Sequence, residues 1–242
     1  MTYTPAQRSE TLAKVEAEIF DRMIPWEEID REKAMQNPQV LDLLREACLV
    51  ESYFAVYTAK MMRLFWYDVE ATSMYTIEAF EAYTHFYKLR RYLEVVGYQP
   101  ITDREVQALR EKDLDEEYTD EVRELVNFMG TEHFANHFFN DLVEMVEEPV
   151  LRKMLPRMAK EEVSHAAFAT DLLAARLKAD PTIREDILRH AADFLHVGKY
   201  AMPQVRNARE DPVSMIRGFD ERIKELTGTS LTEYLRDNHE KK

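Results

Sequence analysis

The segment EEVSHAAFATDLLAARLKADP at residues 161–181 places Glu162 and His165 three positions apart in a continuous helical pattern. On an α-helix this spacing puts both side chains on one face, where they can reach the same metal ion. Neighbours on that face, such as Met158 and Ala166, are apolar, so the carboxylate points toward a helical core. A buried, isolated charge is strongly unfavourable, so the segment indicates a helical bundle with a metal site inside it.

The surrounding sequence predicts three more long helices and few turns. The chain has 5 Gly and 9 Pro in 242 residues, roughly half the usual proportion, whereas strand-rich folds need turn residues at short intervals. The predicted long helices span about 39–67, 71–96, 121–147 and 150–179, and the shorter ones about 9–24, 102–118, 182–200, 211–226 and 230–237. We therefore predict one all-α domain over residues 1–242, with a four-helix core at about 38–180 and additional helices at 181–238.

The composition argues against several classes of protein. The net charge of −14 repels phosphate backbones, so we expect no nucleic-acid partner. No apolar run approaches the length of a membrane span, so we expect no membrane partner either. No glycine-rich phosphate loop or signal peptide is recognisable. Cys48 is the single cysteine, which excludes an internal disulfide framework, and the expected location is the cytoplasm.

Acidic residues also interrupt the apolar stripes of the other long helices. Glu51 on the first helix and Glu132 on the third have mainly apolar neighbours, and the second helix offers Glu81 and His85 four positions apart. With the pair described above, four helices contribute four carboxylates and two imidazoles, the ligand set of a di-iron or di-manganese carboxylate site. The predicted cofactor is two Fe ions, with Mn as the alternative. The candidate metal-binding and catalytic residues are Glu51, Glu81, His85, Glu132, Glu162 and His165.

These segments resemble the soluble acyl-acyl-carrier-protein desaturases of the ferritin-like superfamily. Residues 161–181 are similar to the fourth-helix segment of that family, whose signature reads D-E-K-R-H-E, and HFYKLRRYLEVVG at 85–97 is similar to the segment after its E-E-N-R-H-G signature. MPQ at 202–204 lies where the family has a Met-Pro after its fourth helix. The resemblance covers about residues 40–205. It implies a ferritin-like four-helix bundle, an acyl carrier protein as substrate carrier, a ferredoxin-type electron donor and a homodimer.

Carried over position by position, the resemblance implies iron ligation by Glu51, His85, Glu132, Glu162 and His165. It also places Glu161 at an acidic position that supports one of these ligands from outside the pair of iron ions. The chain departs from the family pattern at two positions. Ala82 stands where a Glu should precede the second-helix His by three. Glu81 is the first candidate to replace that Glu, and Glu78, two helical turns from His85, is the second. Ala135 stands where the family has a hydroxyl-bearing residue.

Three functional hypotheses follow from this ligand set, and a fourth, a metal-free interaction protein that has kept the fold, is favoured only by Ala82. The first is a desaturase-like di-iron oxidase that uses dioxygen to oxidise an acyl or aminoacyl chain, which a carrier protein could hold. The second is a di-iron hydroxylase or N-oxygenase of a small metabolite, which the trimmed chain and Ala135 favour. The third is a ferritin-like metal-binding protein without an organic substrate.

Three other groups of residues have both a functional and a structural interpretation. His133 and His137 could form a second metal pair, but a supporting or polar-face position is the expectation. Basic residues at 88–91 and 152–160 could dock an acidic carrier or form a solvated helix face. A set of mostly apolar residues could line a substrate channel, although most of them are expected to be core: Phe54, Tyr57, Thr58, Met61, Met62, Phe128, Met129 and Phe139.

Overall fold

A computed structural model describes residues 10–21, 24–209 and 213–239 of the chain, and these residues are helical with no strand among them. The α-helices are α1 Glu10–Phe20, α2 Arg31–Met35, α3 Pro38–Leu64, α4 Val69–Val96, α5 Asp103–Arg110, α6 Glu121–Met145, α7 Pro149–Ala179, α8 Arg184–Ala192, α9 Val213–Thr227 and α10 Leu231–His239. The predicted all-α class and its four long helices, α3, α4, α6 and α7, are confirmed. In the described part of the chain, no helix has the length and apolarity that crossing a membrane requires.

The four long helices pack as two close pairs around a common interior. α3 lies along α4 and α6 lies along α7, and the connections at 65–68 and 146–148 are so short that each pair is antiparallel. Contacts between α4 and α7, and between α3 and α6, join the two pairs. The longer connection at 97–120 links the pairs and contains α5. Every long helix therefore has one face toward a shared interior.

The start of each long helix is set by a side chain that accepts a backbone N–H bond of the first turn. These capping residues are Asn37, Asp68, Asp120 and Glu148. At its other end α4 stops at Gly97, whose φ of 80° lies in the left-handed region that glycine adopts without strain. Such caps define where each helix begins or ends, and the buried apolar residues of each helix decide which face, with its acidic side chains, points inward.

The predicted helix at 182–200 is wrong in its second half. α8 ends at Ala192, and a short 3₁₀ turn at Val197–Tyr200 follows. The chain leaves the helical path because α6 offers side-chain partners for its backbone. Val197 N donates to Thr131 Oγ1 at 2.8 Å, a bond that helical continuation would not allow. Of the other short helices, that predicted at 9–24 is shorter, and α5 lies within the stretch 102–118, where the sequence predicts a short helix. Positions 9, 22, 23, 211 and 212 of the predictions lie outside the described residues.

Residues 194–207, which we call the covering segment, lie over the seam between α3 and α6. Close contact requires a glycine on α6, since a Cβ at Gly130 would lie 2.5 Å from Cε2 of Phe194. The Thr131 bond described above is next to this contact, one residue before Glu132. The covering segment is therefore held directly beside a predicted metal ligand.

A buried carboxylate ties the covering segment to the helices. Glu124 on α6 accepts hydrogen bonds from the hydroxyl groups of Tyr57 on α3, at 3.1 Å, and of Tyr200 in the covering segment, at 3.4 Å. Burial raises the pKa of Glu124 from 4.5 to about 7, although the two hydroxyl groups favour its charged form. Near neutral pH the folded protein thus binds a proton at Glu124 that the unfolded chain has released.

A substitution at Glu124 should change how stability depends on pH. Because the folded pKa is raised, the contribution of Glu124 to stability is greatest below pH 4.5 and is lost as pH rises to about 7. Glu124→Gln should therefore flatten the decrease in unfolding free energy over this interval, by about 2 kcal/mol in order of magnitude. Urea unfolding at several pH values measures the effect. The control is Glu144→Gln on the exposed face of α6, and equal pH slopes in the two variants would contradict the prediction.

Candidate metal centre

In the described part of the chain, two groups of three side chains that could ligate a metal lie in the interior between the long helices. In each group the ligand atoms are within 4.8 Å of one another. The first group is Glu51 from α3, His85 from α4 and Glu162 from α7. The second group is Glu78 from α4, Glu132 from α6 and His165 from α7. All six side chains are buried, so each long helix contributes at least one inward-facing ligand atom.

Glu162 lies between the two groups and joins them into one site. Its Oε1 is 3.1 Å from Nδ1 of His85, and its Oε2 is 2.9 Å from Nδ1 of His165. One carboxylate thus presents one oxygen to each imidazole. This position allows Glu162 to contribute to two adjacent cations, as a bridging carboxylate does in a two-metal site.

Each imidazole is oriented from outside by a further carboxylate. Nε2 of His85 is 2.8 Å from Oε2 of Glu161, and Nε2 of His165 is 2.5 Å from Oε2 of Glu81. An ionised carboxylate only accepts hydrogen bonds, so both Nε2 atoms donate. In the neutral imidazole, Nδ1 then carries the lone pair, and in both histidines Nδ1 faces inward. This is the arrangement that metal-ligating histidines usually have.

The interior contains more acceptors than its own hydrogen atoms can satisfy. Nδ1 of His165 lies 2.8 Å from Oε2 of Glu78 and 3.6 Å from Oε2 of Glu132. Within the described residues, Oε1 of Glu132 is buried and has no hydrogen-bond partner. Acceptor atoms this close are stable only with a proton or a cation between them. Four carboxylates balance two divalent cations, and oxygen and imidazole ligands suit iron or manganese. The residues therefore fit a pair of these ions.

The pKa values of these groups show how strongly the site retains protons when no cation is present. Burial raises the pKa of Glu51 to about 7 and raises that of Glu132 well above its ordinary value. For His85, burial lowers the pKa, but the negative charge of Glu162 outweighs it and the net pKa is well above the ordinary value. For His165, burial also lowers the pKa, but the negative charge of Glu78 raises it and the net pKa is above the ordinary value. Cations that enter the site must displace these protons.

Five of the six predicted ligands come together, and the sixth does not. Glu81 lies outside both groups and holds His165 from outside, while Glu78 is inside the second group. The sequence argument treated the two-turn separation of Glu78 from His85 as a disadvantage. That argument assumed that both ligands on α4 serve one ion. In the structure α4 passes along the whole site, so that His85 belongs to one group and Glu78 to the other.

A cavity of about 300 Å³ adjoins the site on the side of α3 and α6. Glu51, Glu78 and Glu132 form part of its wall, and Ala135 adds a methyl group. Of the residues predicted to line a channel, only Phe54 and Phe139 do so. The others are core or half-buried residues, as expected for most of them: Tyr57, Thr58, Met61, Met62, Phe128 and Met129.

The covering segment supplies several lining residues that sequence reasoning missed. They are Phe194, His196, Lys199, Val205, Arg206 and Asn207. No periodic pattern marks them, because the segment is largely irregular and its position depends on bonds to α6. The useful signal would have been the non-helical stretch after α8, with its Pro203 and Gly198.

The other candidate residues lie outside the two metal groups. His133 is held through its Nε2, 2.9 Å from the carbonyl oxygen of Met215, and burial lowers its pKa to about 4. Two residues of the predicted basic surface are engaged near the site. Lys88 is buried, and the Nε of Arg157 donates to Oε1 of Glu161 at 3.0 Å.

Comparisons with known proteins leave the function to be argued from this geometry. No protein-family model matches the chain, and no curated protein or solved structure shows significant similarity to it. The resemblance to acyl-acyl-carrier-protein desaturases accordingly depends on the quoted motifs and on the order of ligands along the helices.

Substitutions at Glu78 and Glu81 should distinguish a metal ligand from a residue that only orients a ligating histidine. Glu78→Ala should remove one of two bound metal ions, because it deletes a member of the second group. Glu81→Ala should keep both ions and weaken binding by about 10- to 100-fold, the usual effect of losing a partner behind a ligating histidine. Anaerobic Fe(II) titration with metal analysis measures both effects. If Glu81→Ala lost one ion while Glu78→Ala kept two, Glu81 would be the ligand.

Metal affinity should rise with pH. The raised pKa values of Glu51, Glu132 and the two histidines mean that bound protons leave when a cation enters. We expect affinity for Fe(II) to increase by about tenfold per pH unit between pH 6 and pH 8, the slope of one released proton per ion. Calorimetry under argon in two buffers of different ionisation enthalpy counts the protons. Equal heats in the two buffers would contradict proton release.

Proposed function

We propose that this chain is a ferritin-like di-iron oxidase, with manganese as the alternative metal, that uses dioxygen to oxidise a small organic substrate. The observation that carries the proposal is the pair of buried carboxylate–imidazole groups joined by Glu162 and open to a cavity. The packing of α3 with α4 and of α6 with α7, with a long connection between the pairs, supports the ferritin-like part of the proposal.

The protein contributes the position and orientation of the proposed ligands and a largely apolar cavity wall. When bound, an Fe(II) pair supplies the electrons for dioxygen reduction and the oxidising capacity for a C–H or N–H bond. Glu162 keeps the two groups adjacent, and Glu161 and Glu81 hold the imidazole rings. Phe54 and Phe139 line the cavity beside the carboxylates and give that part of its wall an apolar surface.

The size of the cavity supports a small substrate. A cavity of about 300 Å³ lies at the lower end of the range of about 300–1,000 Å³ that small-molecule sites occupy. A short chain or a small metabolite fits this space, whereas a long acyl chain on a carrier protein would need a longer channel. Hydroxylation, N-oxygenation and desaturation of such a substrate all use the same site. A ferredoxin-type donor and a homodimer, as the desaturase resemblance implies, belong to the proposal.

Iron loading followed by exposure to dioxygen tests the oxidase proposal. The Fe(II) protein should bind two ions per chain and consume dioxygen with a change in its absorption spectrum, and His165→Ala should lose about half of the iron and this reaction. Mass spectrometry of candidate substrates then identifies the reaction. Loss of two hydrogen atoms means desaturation, and gain of one oxygen atom means oxygenation.

Two outcomes of that experiment would contradict the oxidase. Unchanged iron content in His165→Ala would exclude the proposed site. Continued uptake of iron far beyond two ions per chain, with no oxidised organic product, would instead identify a ferritin-like storage protein. Glu144→Gln, an exposed change on α6 away from the site, is the matched control.

A further inference from the structure

The cavity beside the candidate metal centre has charged groups at a buried inner end and at a solvent-exposed outer end, and much of its remaining wall is apolar. Its inner end is the carboxylate cluster, where Glu78 and Glu132 are each only 2% exposed. Its outer end reaches solvent at Lys199, which is exposed, and at Arg206, whose side chain is 50% exposed. A ligand in this cavity would therefore place one end at the metal groups and the other among charged side chains at the surface.

The outer end presents an unsatisfied acceptor. Glu46 on α3 uses its Oε1 to accept from Arg206, with an N–O distance of 2.7 Å. Its Oε2 is buried and has no hydrogen-bond partner among the described residues. A buried acceptor without a partner is destabilising. Since Glu46 lines the cavity, a donor group of a ligand would relieve this cost.

The outer end also presents a positive charge without a counter-ion. Lys199 forms no salt bridge within the described part of the chain. The neighbouring His196 does not add charge, because burial lowers its pKa to about 4 and its Nδ1 accepts from the N–H of Gly198. A carboxylate of a ligand would complement Lys199 directly, with the guanidinium of Arg206 on the same wall.

Much of the remaining cavity wall is apolar. It includes the rings of Phe54, Phe134 and Phe139, together with Val50 and Ala135. The volume of about 300 Å³ suits a small molecule, and leucine and phenylalanine are of this class. A ligand that matches all three regions has an ammonium group, a carboxylate and an apolar side chain.

We infer that the cavity binds a free α-amino acid with an apolar side chain. Its ammonium group is placed at Oε2 of Glu46, its carboxylate at Lys199 and Arg206, and its side chain toward the metal groups. The inference rests on the proposed function in taking this amino acid as the substrate of the oxidase. The binding itself depends only on the cavity and its charged outer end.

Matched sets of ligands test whether binding requires both charged groups of the amino acid. L-phenylalanine is compared with hydrocinnamate, which lacks the ammonium group, and with phenethylamine, which lacks the carboxylate. L-leucine is compared in the same way with isocaproate and isoamylamine. Calorimetry under argon uses the Fe(II) protein and, separately, the metal-free protein. We expect at least one amino acid to bind about ten times more tightly than both of its analogues.

Variants at the outer end assign each contact. Glu46→Gln should weaken amino-acid binding about tenfold and leave the binding of the carboxylate analogue unchanged, because glutamine retains an acceptor for Arg206 but not the charge. Lys199→Met should weaken both carboxylate-bearing ligands about tenfold and spare the amine. Glu144→Gln and Lys160→Met, exposed changes on α6 and α7 outside the cavity wall, should have no effect.

Three results would overturn the inference. They are equal affinity for an amino acid and its carboxylate analogue, an unchanged affinity in Glu46→Gln, and no binding of either amino acid. Because binding is measured without dioxygen, these results are separate from the test of the oxidase. Amino-acid binding by a protein that holds no iron pair would support the inference and contradict the oxidase, and an oxygen-reactive iron pair without amino-acid binding would do the reverse.

Discussion

The burial of four carboxylates around two imidazoles is the constraint on which the rest of the structure depends. Glu51, Glu78, Glu132 and Glu162 lie between the long helices, where water cannot screen their repulsion. Protons or cations must therefore neutralise them. Glu162 has one oxygen near each imidazole, so its charge interacts with both groups at once. An interior of this kind requires ligands placed by rigid elements, and the four capped helices provide that rigidity.

The outer carboxylates extend this constraint to the surface of the bundle. Glu161 and Glu81 each hold one imidazole, and Glu161 is itself held by Arg157. Burial raises the pKa of Glu161, but the adjacent His85 lowers it, and the net pKa of Glu161 is below its ordinary value. Its negative charge is thus maintained while Glu51 and Glu132 keep protons. Glu162 is as deeply buried, but the adjacent His85 and His165 outweigh the effect of burial and hold its pKa below the ordinary value. The differences among these acids follow from exposure to solvent and from partners, because the residue type is the same.

Helical periodicity was sufficient to predict the long helices and most of the inward-facing acids. Glu162 and His165 are three positions apart on one helix, and such a local pattern survives folding unchanged. Glu78 shows where this reasoning ends. Whether Glu78 or Glu81 belongs to one of the two groups depends on how α4 packs against α7. The spacing of residues within α4 cannot show how two distant segments pack. The covering segment was missed for a similar reason, since its path is set by tertiary bonds such as that to Thr131.

The position of the cavity follows from the way the helices pair. α3 packs closely on α4 and α6 on α7, so the seam between α3 and α6 is where space can remain beside the carboxylates. The covering segment closes this seam, and the absence of a side chain at Gly130 admits the ring of Phe194. The proposed metal ligands thus come from regular helices, while much of the cavity wall comes from an irregular segment. A change in the covering segment can alter the cavity without moving one of these side chains, so the proposed substrate selectivity and the proposed metal binding are structurally separable in this fold.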